Sequence, residues 1–569
     1  MQVNENQLNA ILCTTFQYVI PKFQRGYCWN ESHWQTLWDD ILETLDSTEE
    51  HFFGSIVLQK DTKNSEVDKV LIIDGQQRLT TISIILIAIR DYLEKSFSQD
   101  KADDINEQYL VRKRRENYDD FFRILLTDLK GVGTNVSDKD LYKNLINHEE
   151  TDKRSPIYNA YNFFYKRIEN LREESNSKIN DISKFQTTIL KKLKVVEIVL
   201  NEDDNPYKVF ESLNHKGEEL TEADLIRNYL FMELKDFDET EKNKLYEQKW
   251  EAAEKSFKIN DKNDGKTFSE FLRHLQIVES QKDIHKDKVF SELKKKCKGE
   301  KDVIDYLEKV LKFSKIYSKF INPKIQVTLS INSPEIEAKL IDLKKLNFTA
   351  CYPFLLCCFD DLLKEKIKKV ELLEIMNIIE NYRIRTKNAK IRPSLYKTVT
   401  SDPRSKITDS LKKYLKSDDY MENRDFKRYL TNTDMYNKTK YKTVYILEKV
   451  EQFLVKQNGI KSDLNLGNLT IEHIMPQTLS QEWEHELGQH HQSQHEKWKD
   501  NLGNLTLTAN NTKLSNHGID RKKEIYDKSQ LEINKKLQEY TNWTQKEIAE
   551  RANSLAEICT KIWPNFDVK

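Results

Sequence analysis

The sequence predicts an α+β chain, predominantly helical, and three observations carry that prediction. Charged residues fill 33% of the 569 positions, while 13 Gly and 10 Pro leave few breaks, a composition typical of helix-rich domains. Apolar residues recur at helical spacing along most of the chain. Two places break the pattern: a strand-turn-helix run around Val70 to Ile89, and two short apolar strands around Glu472 and Leu505. The length suits about three or four domains. The divisions expected are an α/β domain with a helical insertion at 1–235, a helical middle at 236–455, and a small ββα domain at 456–569.

Lys and Arg number 92 against 93 Asp and Glu, a net charge of −1, so any nucleic-acid surface must be a local patch. The longest apolar run, ISIILIAI, is far too short to span a bilayer. No signal peptide opens the chain, and the expectation is a cytoplasmic protein with no membrane partner. The seven cysteines show no paired metal spacing and fit free thiols in a reducing compartment.

Taken in order, VIPKFQRGYCWNESHWQTLWDDI places Arg25 in a polar turn after Pro21. A helix follows, with Trp34, Leu37, Trp38 and Ile41 on one face. HFFGSIVLQK and Val70 to Ile73 are strands, Asp74-Gly75 is a tight turn, and Leu79, Ile82, Leu86 and Ile89 stripe a buried helix. Asp74, Gln76, Gln77 and Arg78 therefore sit at a strand-to-helix junction. Free N–H groups there favour an anion, and a guanidinium suits a phosphate. The same letters also suit a plain turn. Tyr161, Phe164 and Ile168 read as the core face of a helix, and Val195 to Leu200 as a return strand completing the N-terminal sheet. In NPYKVFESLNHKGEELTEADLIRNYLF a helix ends near Asn214, Gly217 turns, and Thr221 with Asp224 forms a capping box.

The middle reads as solvated and buried helices, CYPFLLCCFDDLL among the buried ones. Tyr382 to Lys397 stands out, with Arg383, Arg385, Lys387, Lys390, Arg392 and Lys397 and no acid: a candidate grip on a phosphate backbone, or a basic exposed loop.

The most informative stretch is Ile471 to Asn516. Adjacent Glu472 and His473 on a strand point to opposite faces, which lets a carboxylate hold a divalent ion while an imidazole faces water. Alternation places Asn504 and Thr506 on one face of a second strand, with Leu505 and Leu507 on the core face. Asn510, Asn511 and Asn516 then offer oxygen donors for a hard metal. Two such strands and a ligand-bearing segment make a ββα-metal (HNH) pattern; a plain β-hairpin with turn-forming Asn residues accounts for the same letters. His485, His490, His491 and His495 lie between the strands, where a polar insertion fits better than a zinc site. Arg521, Lys522 and Lys523 come next, placed to meet DNA, and a helix from Thr544 to Ile562 closes the domain.

EHIMPQ, Trp498, and LGNLTLT followed by NxxLxN resemble the HNH half of GmrSD-type restriction endonucleases. That resemblance implies His473 as general base, Glu472 with Asn511 or Asn516 as ligands of Mg²⁺ or Mn²⁺, and Asn504 orienting the hairpin. PKFQRGYCW, FFGSIVL and IDGQQRLTT resemble the ParB/sulfiredoxin-like N-terminal domain of GmrSD and SspE proteins. It implies that Asp74, Gly75, Gln76, Gln77 and Arg78, with Arg25 and Asn214, bind a nucleoside triphosphate, GTP or ATP. Asp224 joins them as a candidate on the same grounds. No GxxxxGK[ST] loop is present, so any NTPase chemistry would be of this family's own kind.

The function implied is a modification-dependent, type IV restriction endonuclease acting on modified phage DNA, regulated by nucleotide at the DGQQR motif. Arg383, Arg385, Lys387, Arg392, Arg521, Lys522 and Lys523 are its expected DNA contacts. DNA, a nucleoside triphosphate and a second copy in a homodimer are the partners considered. Two alternatives stay open: an NTP-dependent DNA-binding regulator that does not cut, and an abortive-infection nuclease acting on RNA or host DNA.

Overall fold

The computed structural model describes the chain except residues 61–67, 97, 113–120, 127–135, 175–179, 202–203, 205, 207–208, 210–219, 258–264, 417–418, 438, 461–465, 510–513 and 568–569. Asn214, Asn510 and Asn511 therefore lie outside the described residues. The chain forms two compact units, Met1–Arg273 with Ile284–Ser314, and His274–Asp283 with Lys315–Lys569. Residues 236–455, expected as one helical middle, are shared between them. Helix dominates throughout, at 63%. No described helix is long and apolar enough to cross a membrane.

The first unit is built on β1 (Gln2–Gln7), β2 (Gln17–Val19), α1 (Glu31–Asp46), β3 (His51–Lys60), β4 (Lys69–Asp74), α2 (Gln76–Lys95), β5 (Ile124–Leu125), α3 (Pro156–Glu174), β6 (Leu193–Leu200) and α4 (Glu222–Glu233). Six strands make one mixed sheet in the order β1-β6-β3-β4-β2-β5. The return strand β6 enters between β1 and β3, antiparallel to the first and parallel to the second. α2 is buried on every side from Leu79 to Leu93, apart from Asp91, which fits an unbroken apolar run better than a one-faced stripe. Trp34, Leu37, Trp38 and Ile41 of α1 join this core, as do Phe164 and Ile168 of α3. Tyr161 is only half-buried, its hydroxyl donating to Asp91 Oδ2 at 2.8 Å. Gly75, between β4 and α2, has φ +94°, and a Cβ there would lie 3.1 Å from Ser55 O. The turn needs glycine for both reasons.

The second unit contributes α5 (Tyr352–Leu363), α6 (Lys369–Arg385), α7 (Lys440–Gln457), β7 (Thr470–His473), β8 (Leu505–Thr508), α8 (Ile519–Asp527) and α9 (Gln545–Ile562). β7 and β8 pair antiparallel, Leu505 opposite His473 and Thr506 opposite Glu472. All four residues of β8 are buried, as is Asn504 before it, so both faces of the strand are covered. Asn534 covers the Thr506 side, accepting from the Thr506 hydroxyl and donating to Leu507 O at 2.9 Å. Thr544 and Glu547 cap α9 reciprocally.

α9 packs directly on the turn before β8. A Cβ on Gly503 would lie 1.9 Å from Ile548 O and 3.0 Å from Ala552 N, both backbone atoms that cannot swing aside. Gly503→Ala should therefore destabilise the second unit by about 3 kcal/mol, the upper end of overpacking costs. Chemical denaturation followed by tryptophan fluorescence checks it.

Candidate functional site

In the second unit, β7 carries His473 to its last position, and the Asn504 side chain fixes the backbone just beyond it. The Asn504 amide donates to Met475 O and Lys499 O, each at 2.8 Å, and its oxygen accepts from Met475 N at 2.7 Å and Trp543 Nε1 at 3.0 Å. Asn504 is fully buried and every donor and acceptor is used. It therefore ties the backbone after β7 to the turn before β8.

His473 is 6% exposed, with Nε2 3.0 Å from Asp500 Oδ1. Assigning the proton to Nε2 leaves the lone pair on Nδ1, the nitrogen that can accept a proton from water. Burial lowers the His473 pKa below its usual value, and the Asp500 carboxylate opposes that shift. Asp500 also accepts from Asn437 Nδ2 at 3.2 Å, and its carbonyl accepts from Met435 N at 2.9 Å. The ring of Tyr436 meets the imidazole edge-on, 4.5 Å between centroids. Asp500, Tyr436 and Asn437 escaped sequence reasoning. Asp500 stands four residues ahead of Asn504, but in a polar insertion its charge reads as solvated.

Glu472 departs from expectation. Its Oε1 accepts from Lys522 Nζ at 2.7 Å, and the same ammonium donates to His473 O at 2.8 Å. Lys522 is fully buried and Glu472 7% exposed. Burial raises the Glu472 pKa and lowers that of Lys522, so desolvation outweighs mutual attraction on both sides. Two assignments are corrected by this pair. Lys522 is no DNA contact, and the Glu472 charge is already balanced, which does not fit a divalent-ion ligand. Asn516 is exposed on a turn after β8. Among the described residues, only Asp91, Glu94 and His148, in the first unit, form a His/Asp/Glu group at metal-like spacing. There too, Asp91 Oδ1 already accepts from Arg90 Nε at 2.8 Å.

The basic residues divide in the same way. Arg385 is fully buried, donating to Trp563 O, Met421 O, Asn565 Oδ1 and Asn423 Oδ1, a correction to its expected DNA role. Arg383 is half-buried against Tyr441. Lys387, Arg392 and Arg521 are exposed, and Lys523, half-buried, reaches Thr541 O at 3.4 Å. His495 bonds Pro476 O and His491 bonds Gly488 O, each through one ring nitrogen.

In the first unit, the DGQQR segment splits by direction. Gln77 accepts from Cys28 N at 2.9 Å and donates to Gly26 O at 3.0 Å, while Gln76 donates to Gln24 Oε1 at 3.3 Å. Both amides point inward and shape the FQR loop that carries Arg25. Arg78 donates to Ser55 O and stands 3.9 Å from Asp74 Oδ2. Burial raises the Asp74 pKa, with Arg78, the Gly75 N–H and Arg25 opposing. Arg78 also lines a 310 Å³ recess with Trp29, His33, His51 and Phe52. Asp138, unremarked in the sequence, accepts from Tyr27 N at 2.6 Å, and burial pushes its carboxyl up to about 7. Asp224 caps α4 and pairs with Arg227, whose Nε donates to Phe23 O at 2.6 Å.

The Glu472–Lys522 pair yields a direct test. Lys522→Met leaves a buried carboxylate unpaired and should cost about 3–5 kcal/mol, whereas Glu472→Leu with Lys522→Met should recover most of it. Urea denaturation of the single and double variants measures both. A double variant as unstable as the single one would show that the pair is not the cause.

No curated protein matches the chain. Residues 5–231 match the family described as GmrSD restriction endonuclease, N-terminal domain, and residues 420–558 match GmrSD restriction endonucleases, C-terminal domain. The first match spans the sheet with the DGQQR segment and the second spans Tyr436, His473, Asp500 and Asn504, so the chain belongs to the GmrSD family of restriction endonucleases.

Proposed function

We propose that the chain is a type IV, modification-dependent endonuclease that hydrolyses DNA phosphodiesters at the His473–Asp500 pair. The buried imidazole, held by a carboxylate at 3.0 Å at the end of a two-stranded hairpin, carries this reading. His473 Nδ1 takes a proton as water attacks phosphorus, and Asp500 stabilises the imidazolium that forms. A new P–O bond forms to the water oxygen, the P–O bond to one sugar oxygen breaks, and solvent returns a proton to the leaving oxygen. Mg²⁺ or Mn²⁺ is proposed from family membership alone, and no step of this reaction passes through it. Modified phage DNA is the proposed target. GTP or ATP is the proposed regulator at Asp74 and Arg78, the two DGQQR side chains that keep some exposure.

One observation favours a second reading, a DNA-binding regulator that does not cut: Lys522 occupies the carboxylate expected to hold the ion. Cleavage of plasmid and of modified and unmodified phage DNA decides between them, run with Mg²⁺, Mn²⁺ or chelator and with or without GTP or ATP. The expected result is metal-dependent cutting of modified DNA, lowered about 10²–10⁴-fold in His473→Ala, the usual worth of a general base. DNA binding without cutting under every condition would favour the regulator.

The pH profile tests the base itself. A lowered His473 pKa keeps the neutral imidazole populated below pH 6.5, so the acid limb of kcat/KM should fall under that value. Asp500→Asn removes the charge that props the pKa up, so the limb should move further toward acid. The rate should fall about 10–100-fold, as when an imidazole loses its orienting partner.

A further inference from the structure

A phosphodiester within reach of His473 brings a negative charge, and more develops as water attacks, so the site needs a cation aimed outward. Two lysines exert their charge on His473, Lys522 and Lys440. Lys522 is fully buried and committed to Glu472 and the His473 carbonyl. Lys440 is exposed, at the first position of α7. Its ammonium lies 3.3 Å from Tyr436 Oη and 4.9 Å from the centre of that ring. The ring in turn rests on the His473 imidazole.

The turn bearing Tyr436 is fastened to the same acid that holds the base. Asp434 Oδ1 accepts from Tyr436 N at 2.9 Å and Asn437 N at 3.0 Å. The Asn437 amide bridges Asp434 Oδ2 and Asp500 Oδ2. Imidazole, carboxylate, phenol and ammonium thus form one connected group drawn from three stretches of chain. The first turn of α7 carries no acid that would compete with an anion.

We propose that Lys440 is a substrate-contacting residue that binds a backbone phosphate of the nucleic acid beside His473, with Tyr436 as the positioning residue that holds it there. The proposal rests on the nuclease reading for its substrate. The contact is to phosphate and carries no base preference. It also means that the site needs Asp434, Tyr436, Asn437 and Lys440, which lie before the segment bearing the HNH-like motif.

Salt-dependent DNA binding of the full chain tests the clamp apart from cleavage. His473→Ala is compared with His473→Ala/Lys440→Gln on one duplex from about 50 to 200 mM salt. Losing one phosphate contact lowers the log–log slope by about 0.9, so the double variant should lose roughly 3.5-fold less affinity across that range. In the otherwise unaltered chain, Lys440→Gln should raise KM for DNA more than it lowers kcat, and Lys440→Arg should recover most of the loss. Tyr436→Phe keeps the ring on His473 but removes the lysine's oxygen acceptor, and should show part of the Lys440→Gln effect. An unchanged salt slope, with cleavage by Lys440→Gln equal to the unaltered chain, would overturn the clamp and leave the nuclease reading standing. Absence of cleavage in the unaltered chain would overturn the nuclease reading, while the slope would still report on Lys440.

Discussion

The side-chain amide of Asn504 is the interaction on which the second unit's site depends. It binds both backbone groups of Met475, two residues past the base, and the carbonyl of Lys499, one residue before the acid. One planar group therefore sets where the chain goes after His473 and from where Asp500 approaches. Leaving any of these buried groups unpaired would cost about 1–3 kcal/mol, so alternative loop courses are excluded without regular structure to exclude them. Trp543 donates to the same oxygen, which ties the region ahead of α9 into the clamp. Gly503 then lets the α9 backbone come into contact, and Arg551 of that helix donates to the carbonyls of Gly503 and Leu505.

The first unit solves a similar problem with Gln77. Its amide pairs with Cys28 N and Gly26 O and so imposes a course on the loop after the FQR residues. A motif that reads as four equivalent polar letters around a glycine is therefore two kinds of polar residue. Gln76 and Gln77 are buried and build the wall, while Asp74 and Arg78 reach its opening. Any ligand at this junction meets an acid and a guanidinium, with the amides already committed.

Local rules made much of this legible. Alternation and turn chemistry located β3, β4, α2 and β6, and the capping pair of α4 stands where Thr221 and Asp224 predicted it. The resemblance pointed to the two regions that the GmrSD family descriptions match. What stayed hidden depends on distance along the chain. Asp500 acquires its meaning only when the hairpin brings it to His473, and Tyr436 only when the turn before α7 reaches the same imidazole. The spacing of Glu472 and His473 correctly sent them to opposite faces, but could not show which group waits on the far one. Lys522 is there because α8 returns its buried face to β7.

That geometry also explains why runs of basic residues overstate the nucleic-acid surface. Successive residues of an α-helix turn by about 100°, so two cations two positions apart differ by about 200° and cannot share a face. Arg383 and Arg385 end α6 in this relation, and the second goes inward to tie four acceptors from two other stretches of chain. A planar, fully charged fork suits that scaffold task, which a lysine ammonium would not reproduce. Arg521 and Lys522 repeat the division on α8, one exposed and one buried. In a chain of net charge −1, each cation drawn inward leaves fewer on the surface, and cations at helix starts are among those that stay exposed. Lys440 is such a cation: as the first residue of its helix it projects from an end, where no neighbouring turn forces a choice between core and solvent.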